Sequence, residues 1–172
     1  WYRQAAEQGH LRAQFDLGLR YENGVGVEAD GRQALGWYRR AAAQAYAPAQ
    51  YMVGALIDRL DAGSPGEAAD WFHKAAEGGH ALAQFELGLR YDCGKGVERD
   101  YEAAHFWYLC AARQGHARAQ FNLGVMYAAG QGVQRDLVEA YAWLHRAGGA
   151  GLGPAAGYLD RIAARMDPQL LA

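Results

Sequence analysis

Small and apolar side chains recur along this chain in a fixed order that repeats every 34 or 36 residues. Ala13, Leu17 and Tyr21 are spaced four apart and therefore lie on one face of a predicted helix. The stretch around Trp37 has the same helical periodicity. Tryptophan marks the repeat and stands at positions 1, 37, 71, 107 and 143. A period of this length is typical of stacked helical pairs.

Glycine and aspartate residues separate the two helices predicted in each unit. The first helix ends at a Gly-x-Gly-Val segment, because glycine readily adopts the left-handed conformation that closes a helix. The second begins after a residue whose side-chain oxygen can accept unpaired backbone N–H groups. These capping residues are Asp30, Ser64, Asp100 and Asp136, each seven positions before a tryptophan. The predicted helices span 1–8, 11–22, 31–44, 48–61, 65–77, 81–92, 101–113, 117–128, 137–147 and 154–166.

We expect the helices to form one domain over residues 1–172. Its predicted segments are a partial N-terminal helix at 1–8, units near 9–44, 45–78, 79–114 and 115–150, and a capping helix within 151–172. A more polar last helix suits the end of a stacked array. Trp1 lacks the capping residue that should precede it by seven positions, so we expect the chain to belong to a longer protein.

The second unit departs from the others. A glycine within each first helix, Gly18 in the first unit, is predicted to let a neighbouring helix approach closely because it has no side chain. In the second unit the helix cap, Ser64, follows the matching Gly54 by 10 positions, whereas Asp30 follows Gly18 by 12. This deletion removes the Gly-x-Gly loop. The apolar pattern through Leu60 predicts that the first helix continues and that the chain turns at Ala62 and Gly63. We expect a local change in geometry there.

Composition supports a helical chain and narrows the function classes. The chain contains 23 glycines and 36 alanines, no threonine, and only 9 isoleucines and valines, so sheet folds are disfavoured. Its 17 basic and 19 acidic residues give a net charge of −2, whereas nucleic-acid binders usually carry a basic excess. No apolar run is long enough to span a membrane. The excess of arginine over lysine, together with the alanine content, indicates a GC-rich and therefore bacterial coding sequence.

With these positions aligned, the chain resembles the Sel-1-like repeat family, which is related to the tetratricopeptide repeats. The resemblance rests on the Ala-x-x-x-Leu-Gly-x-x-Tyr pattern at 13–21, on Gly-x-Gly-Val at 24–27, on Asp30, and on Trp-Tyr-x-x-Ala-Ala at 37–42. The same pattern recurs near positions 81 and 117. The resemblance implies an all-α, right-handed superhelical solenoid of stacked antiparallel helix pairs. It also implies a protein that binds other proteins, as adaptors, scaffolds and regulators do.

The tetratricopeptide relatives bind peptides on the concave face, which the first helices line. In this chain an apolar stripe with an acidic edge lies opposite the Ala-Leu-Tyr face of the first helices. We predict that it contacts a protein or peptide partner, unless its aromatic rings serve to pack successive first helices. The stripe contains Arg12, Phe15, Leu19, Glu22, Tyr51, Asp58, Phe85, Leu89, Asp92, Arg118, Phe121 and Val125.

Motifs for catalysis, metals or cofactors are weak. Gly94-Lys95-Gly96 lacks the preceding strand and the following Ser or Thr of a phosphate-binding loop, so we interpret it as a turn. His10, His80 and His116 occupy successive turns, too far apart to share a metal ion. Cys93 and Cys110 are predicted to be free thiols, because the helix geometry separates them.

The sequence therefore predicts a protein-interaction module without enzymatic activity or cofactors. Two alternatives remain: an immunity-type inhibitor of a secreted bacterial toxin, or a non-catalytic domain of a larger enzyme. The pattern leaves the partner, the oligomeric state and the compartment open, with periplasmic, envelope-associated and cytoplasmic locations all compatible with it.

Overall fold

The computed structural model describes residues 2–166, which form ten α-helices and no strand. The helices are α1 (Tyr2–Glu7), α2 (Leu11–Asn23), α3 (Gly31–Ala42), α4 (Ala47–Leu60), α5 (Pro65–Glu77), α6 (Ala81–Cys93), α7 (Tyr101–Arg113), α8 (Ala117–Ala129), α9 (Leu137–Gly149) and α10 (Pro154–Ala163). The predicted solenoid of helix pairs is confirmed. We call α2, α4, α6 and α8 the first helices, and α3, α5, α7 and α9 the second helices.

The helix starts confirm the predicted caps. The carboxylates of Asp30, Asp100 and Asp136 each accept two backbone N–H groups of the following helix. Ser64 Oγ accepts the N–H of Glu67 at 3.0 Å. The predicted boundaries are wrong by at most three residues, and the largest error is in α10, which ends at Ala163 instead of 166.

Two compact units divide the described chain. One comprises residues 2–83 and 95–97, and the other comprises 84–94 and 98–166. In the first, α2 packs against α3, and α4 packs against both α3 and α5. In the second, α8 packs against α7 and α9, and α9 packs against α10.

Glycine in the middle of each first helix allows the paired second helix to pack closely. A Cβ on Gly18 would lie 2.6 Å from the ring of Tyr38, and a Cβ on Gly88 would lie 2.6 Å from the ring of Tyr108. Both tyrosines are completely buried. The predicted packing role of these glycines is therefore confirmed.

The shortened second unit follows the sequence prediction with one correction. Helix α4 runs on to Leu60, as expected, but the chain reverses already at Asp61, not at Ala62 and Gly63. Asp61 has a φ of 49°, in the left-handed region. Aspartate tolerates this conformation better than most side chains do, so it closes the helix without the missing glycine.

Buried glutamines, whose role was not predicted from the sequence, link helix ends to the first helices that follow them within each compact unit, and we call these contacts the glutamine ladder. The side-chain amide of Gln14 donates to the carbonyl of Ala6, and that of Gln120 donates to the carbonyl of Ala112. A second glutamine, 30 residues further on, donates to the amide oxygen of the first. These pairs are Gln44 to Gln14 at 2.9 Å and Gln114 to Gln84 at 2.8 Å.

The ladder lacks a donor at its last position, which predicts a stabilising substitution. Gln120 Oε1 is buried and has no hydrogen-bond partner among the described residues. Position 150, which matches Gln114, carries alanine in almost the same backbone conformation, with φ and ψ of −83° and 10° against −86° and 6°. Ala150→Gln should therefore raise the free energy of unfolding by about 1 kcal/mol. Urea unfolding would measure this gain.

The matched control is Ala150→Met, which adds a chain of similar length without an amide donor. We expect no comparable gain from the methionine. Equal stabilities of the two variants would contradict the proposed hydrogen bond.

Candidate functional site

The aromatic residues of the predicted stripe pack inside the helix array. In the first compact unit, the ring of Phe15 lies 5.4 Å from Tyr38 of the paired second helix and 5.3 Å from Tyr46, which precedes the next first helix. Tyr51 makes the equivalent contacts, 5.7 Å to Phe72 and 4.8 Å to His80.

The second compact unit repeats this arrangement. Phe85 is 7% exposed, and its ring lies 5.9 Å from Tyr108 and 4.4 Å from His116. Phe121 is half-buried and packs edge-on against Tyr158 of α10 at 5.1 Å. These rings therefore pack against aromatic residues of neighbouring elements within each compact unit, in line with the packing alternative.

The basic residues of the stripe are more accessible than its rings, whereas its aliphatic residues are half-buried like Phe15, Tyr51 and Phe121. Leu19, Leu89 and Val125 follow the aromatic residues by one helical turn and are half-buried. Arg12 and Arg118, one turn before the rings, are exposed. The two arginines are therefore the most accessible side chains of the stripe.

The acidic edge of the stripe has internal partners. Tyr38 donates its hydroxyl hydrogen to Glu22 at 2.7 Å, and Arg59 donates to the other carboxylate oxygen at 2.7 Å. Burial, and secondly the bond to Glu22, raises the pKa of Tyr38 well above its usual value. Asp58 forms a salt bridge of 2.9 Å with Lys95. Glu22 and Asp58 are thus neutralised within the first compact unit.

Asp92 has a different environment in the second compact unit. It accepts the hydroxyl hydrogen of Tyr108 at 3.2 Å. Burial, and secondly the charge of Asp92, raises the pKa of Tyr108, while a hydrogen bond with Asn122 opposes this shift. Within residues 2–166, no salt bridge to Asp92 is present.

His80 and His116 have a capping role that the sequence analysis did not predict in detail. The Nδ1 atom of His80 accepts the N–H of Ala83 at 3.3 Å, and that of His116 accepts the N–H of Ala119 at 3.2 Å. Burial lowers the pKa of both imidazoles, and the charge of Arg118 lowers that of His116 further. The fold therefore favours the neutral ring, which can accept the capping hydrogen bond.

This capping predicts a pH dependence of stability. Because the folded-state pKa of each histidine lies below the unfolded value near 6.5, the caps stabilise the fold above that pH. The contribution is lost as pH falls through the folded pKa. The free energy of unfolding should fall between pH 7.5 and 5, and less steeply in His80→Asn/His116→Asn, because asparagine caps helices without titrating there.

His10→Asn provides the matched control, since His10 precedes α2 but makes no side-chain capping bond. Urea unfolding at a series of pH values would test the prediction. Identical pH slopes for the wild type and the double variant would contradict the capping role.

Other candidate chemistry has structural explanations. Gly94 and Gly96 form a turn after α6, and the side chain of Lys95 between them is bound to Asp58. Cys93 and Cys110 are free thiols, as predicted. In the described part of the chain, no group of three or more acidic, histidine or cysteine residues could hold a metal ion. Nor is any helix there long and apolar enough to cross a bilayer.

Ten helices in repeated pairs, with matching caps and packing glycines, define an α-helical repeat protein. The chain belongs to the Sel1 repeat family, whose sequence profile matches residues 1–10, 11–46, 47–80, 81–116 and 117–152. Proteins of this family are generally protein-interaction modules, and they are typically non-catalytic.

Solved structures of bacterial repeat proteins are similar to this chain. The protective antigen c5321 of uropathogenic Escherichia coli, which displays the SLR fold, has 38% identity over 99% of this chain and a TM-score of 0.88. A Sel1 repeat protein from Oxalobacter formigenes has 40% identity over 94% of this chain and a TM-score of 0.85. This chain spans 37% and 48% of those two proteins.

Immunity protein Pa5087 of Pseudomonas aeruginosa is a more distant structural relative. It has 28% identity over 90% of this chain, with a TM-score of 0.55, and this chain covers 58% of its length. None of the curated proteins matches the chain significantly.

Proposed function

We propose that the chain binds a partner polypeptide through the exposed side of its first helices. The observation that carries this proposal is the pair of half-buried apolar residues Leu89 and Val125 in the second compact unit, which lie on first-helix faces that packing has only half covered. In the first compact unit, Leu19 occupies the matching position and is half-buried as well. A helix that is apolar on two faces must bury both or offer one to a partner.

The aromatic residues of the stripe support this surface from beneath. Phe85 packs against Tyr108 and His116, which fixes the position of Leu89 one turn further along α6. The aromatic rings therefore act mainly by positioning the aliphatic side chains, and the aliphatic side chains supply the contact area. Exposed Arg118 extends the surface in the second compact unit with a cation that suits acidic groups on a partner.

A random library of 12-residue peptides displayed on phage provides a direct probe. The purified chain should enrich peptides that contain apolar residues. Their affinity should fall about tenfold or more in Leu89→Ser/Val125→Ser, because two apolar contacts are lost. Fluorescence anisotropy with the synthesised peptides would measure the change, and urea unfolding would check that the variant stays folded.

Val138→Ser is the matched control, since Val138 is 49% exposed on a second helix of the same compact unit. It should leave peptide affinity unchanged. A library without enriched peptides, or equal losses in both variants, would contradict the proposed surface.

The alternative of an immunity-type inhibitor is favoured by one observation, the structural likeness to Pa5087. Under this alternative the partner is a secreted toxin encoded beside the gene of this chain. Co-expression of the chain with that neighbouring protein should restore growth. Continued toxicity, with both proteins produced, would exclude the alternative.

A further inference from the structure

The carboxylates near the C-terminal ends of α2 and α4 each bind a cationic side chain. Glu22 receives the guanidinium of Arg59, which lies near the end of the next first helix. Asp58 receives the ammonium of Lys95, the middle residue of the Gly-x-Gly loop after the next first helix. In both cases a cation one repeat further along the chain neutralises the carboxylate.

Asp92 is the third carboxylate at this repeat position, and residues 2–166, which the structure describes, do not supply its cation. The position that matches Lys95 in the next Gly-x-Gly loop is Gln131, and the position that matches Arg59 is Ala129. The two loops have the same backbone form, since φ is 74° and 77° at Gly94 and Gly96, and 73° and 63° at the glycines around Gln131. The second loop therefore lacks a cation because its middle side chain is different, while its backbone conformation is the same.

The surroundings of Asp92 are suited to a ligand cation. Its carboxylate is half-buried and is held by the hydroxyl of Tyr108. Half-buried Leu89 lies one turn before it on α6, and Asn122 reaches the same hydroxyl from α8. A partly desolvated carboxylate beside apolar side chains binds a cation more strongly than a carboxylate in open water.

We propose that Asp92 binds an arginine or lysine side chain of the partner polypeptide, in the place that Arg59 and Lys95 fill at the two preceding carboxylates. This inference rests on the proposed function and adds one determinant of specificity to it. A bound segment would place its cation at Asp92 and its apolar residues over Leu89 and Val125.

The chain itself offers a variant that should block the site. Gln131→Lys places a lysine where Lys95 stands in the preceding loop, so that its ammonium should bind Asp92 internally. Gln134→Lys is the matched control, because it makes the same chemical change at an exposed position beyond the loop. Asp92→Asn removes the charge and keeps the shape of the side chain.

The experiment uses the peptides enriched by the wild-type chain from the 12-residue library. They should share arginine or lysine at one position, and replacing an arginine there with citrulline, its neutral analogue, should weaken binding about tenfold. The citrulline effect should disappear in Asp92→Asn and Gln131→Lys and persist in Gln134→Lys. Thermal unfolding should report all three variants as folded.

Three outcomes would overturn the inference. They are enriched peptides without a shared cation, a citrulline effect that survives in Asp92→Asn, and equal behaviour of Gln131→Lys and Gln134→Lys. If such peptides still depend on Leu89 and Val125, the proposed function stands and only the role of Asp92 fails. A library without any enriched peptide would count against both proposals.

Discussion

Replacing Gly88 with alanine should lower the free energy of unfolding by about 3 kcal/mol, the upper part of the range for an overpacked core. The new methyl group would lie 2.6 Å from a ring carbon of Tyr108, which is completely buried and cannot move aside freely. Helices α6 and α7 would have to separate. Urea unfolding followed by tryptophan fluorescence measures the loss.

Gly157→Ala is the matched control, because a Cβ on that helical glycine meets nothing within 4 Å. It should stabilise the protein by about 0.5 to 1 kcal/mol through helix propensity. In a Tyr108→Ala background the cost of Gly88→Ala should nearly vanish. A cost that persists there would show that the tyrosine ring is not its cause.

Gly132→Ala should lower the free energy of unfolding by about 3 to 5 kcal/mol, because two effects add. The residue has a φ of 63°, which costs about 1 to 2 kcal/mol for a residue with a Cβ. The Cβ would also lie 2.1 Å from the carbonyl oxygen of Tyr101, a backbone atom at the start of α7, which adds an overpacking cost. The loop would have to lift from the helix.

Gly26→Ala separates the two effects. Gly26 occupies the same loop position with a φ of 73°, but its nearest neighbour would be the end of the Arg20 side chain at 3.7 Å. Gly26→Ala should therefore lower the free energy of unfolding by only about 1 to 2 kcal/mol. Thermal and urea unfolding of both variants would compare them, and equal costs would contradict the role of the backbone contact.

Local signals explain why most of the fold could be predicted from the sequence. Helix starts depend on capping side chains such as Asp30 and Asp136, and helix ends depend on glycines with positive φ, so each boundary is encoded within a few residues. The turn of the second unit was placed too late because Asp61 adopts the left-handed conformation without being glycine.

The candidate site was harder to predict because it depends on pairs that are far apart in the sequence. Glu22 and Asp92 were predicted to contact a partner, and each also accepts a tyrosine hydroxyl hydrogen from 16 residues further on, a pairing that the sequence analysis missed. The last repeat contains a signal of this pairing, because the tyrosine position and the acidic position change together. Position 144 carries leucine in place of tyrosine, and the matching acidic position, 128, carries alanine. The binding role of the stripe stays a prediction, since no partner is bound to it.

The glutamine ladder has a consequence for the exchange of repeats. Gln44 and Gln14 in the first compact unit form the same side-chain pair as Gln114 and Gln84 in the second, so two repeats contain matching polar junctions. A copy of residues 79–114 carries both Gln84 and Gln114 and could be inserted with its junctions complete. A copy of 45–78 would end at Gly78, whose added Cβ would lie 2.8 Å from Ala47, and would interrupt the ladder. Residues 9–44, which carry Gln14 and Gln44, share this suitability for duplication, whereas residues 45–78 lack the second glutamine.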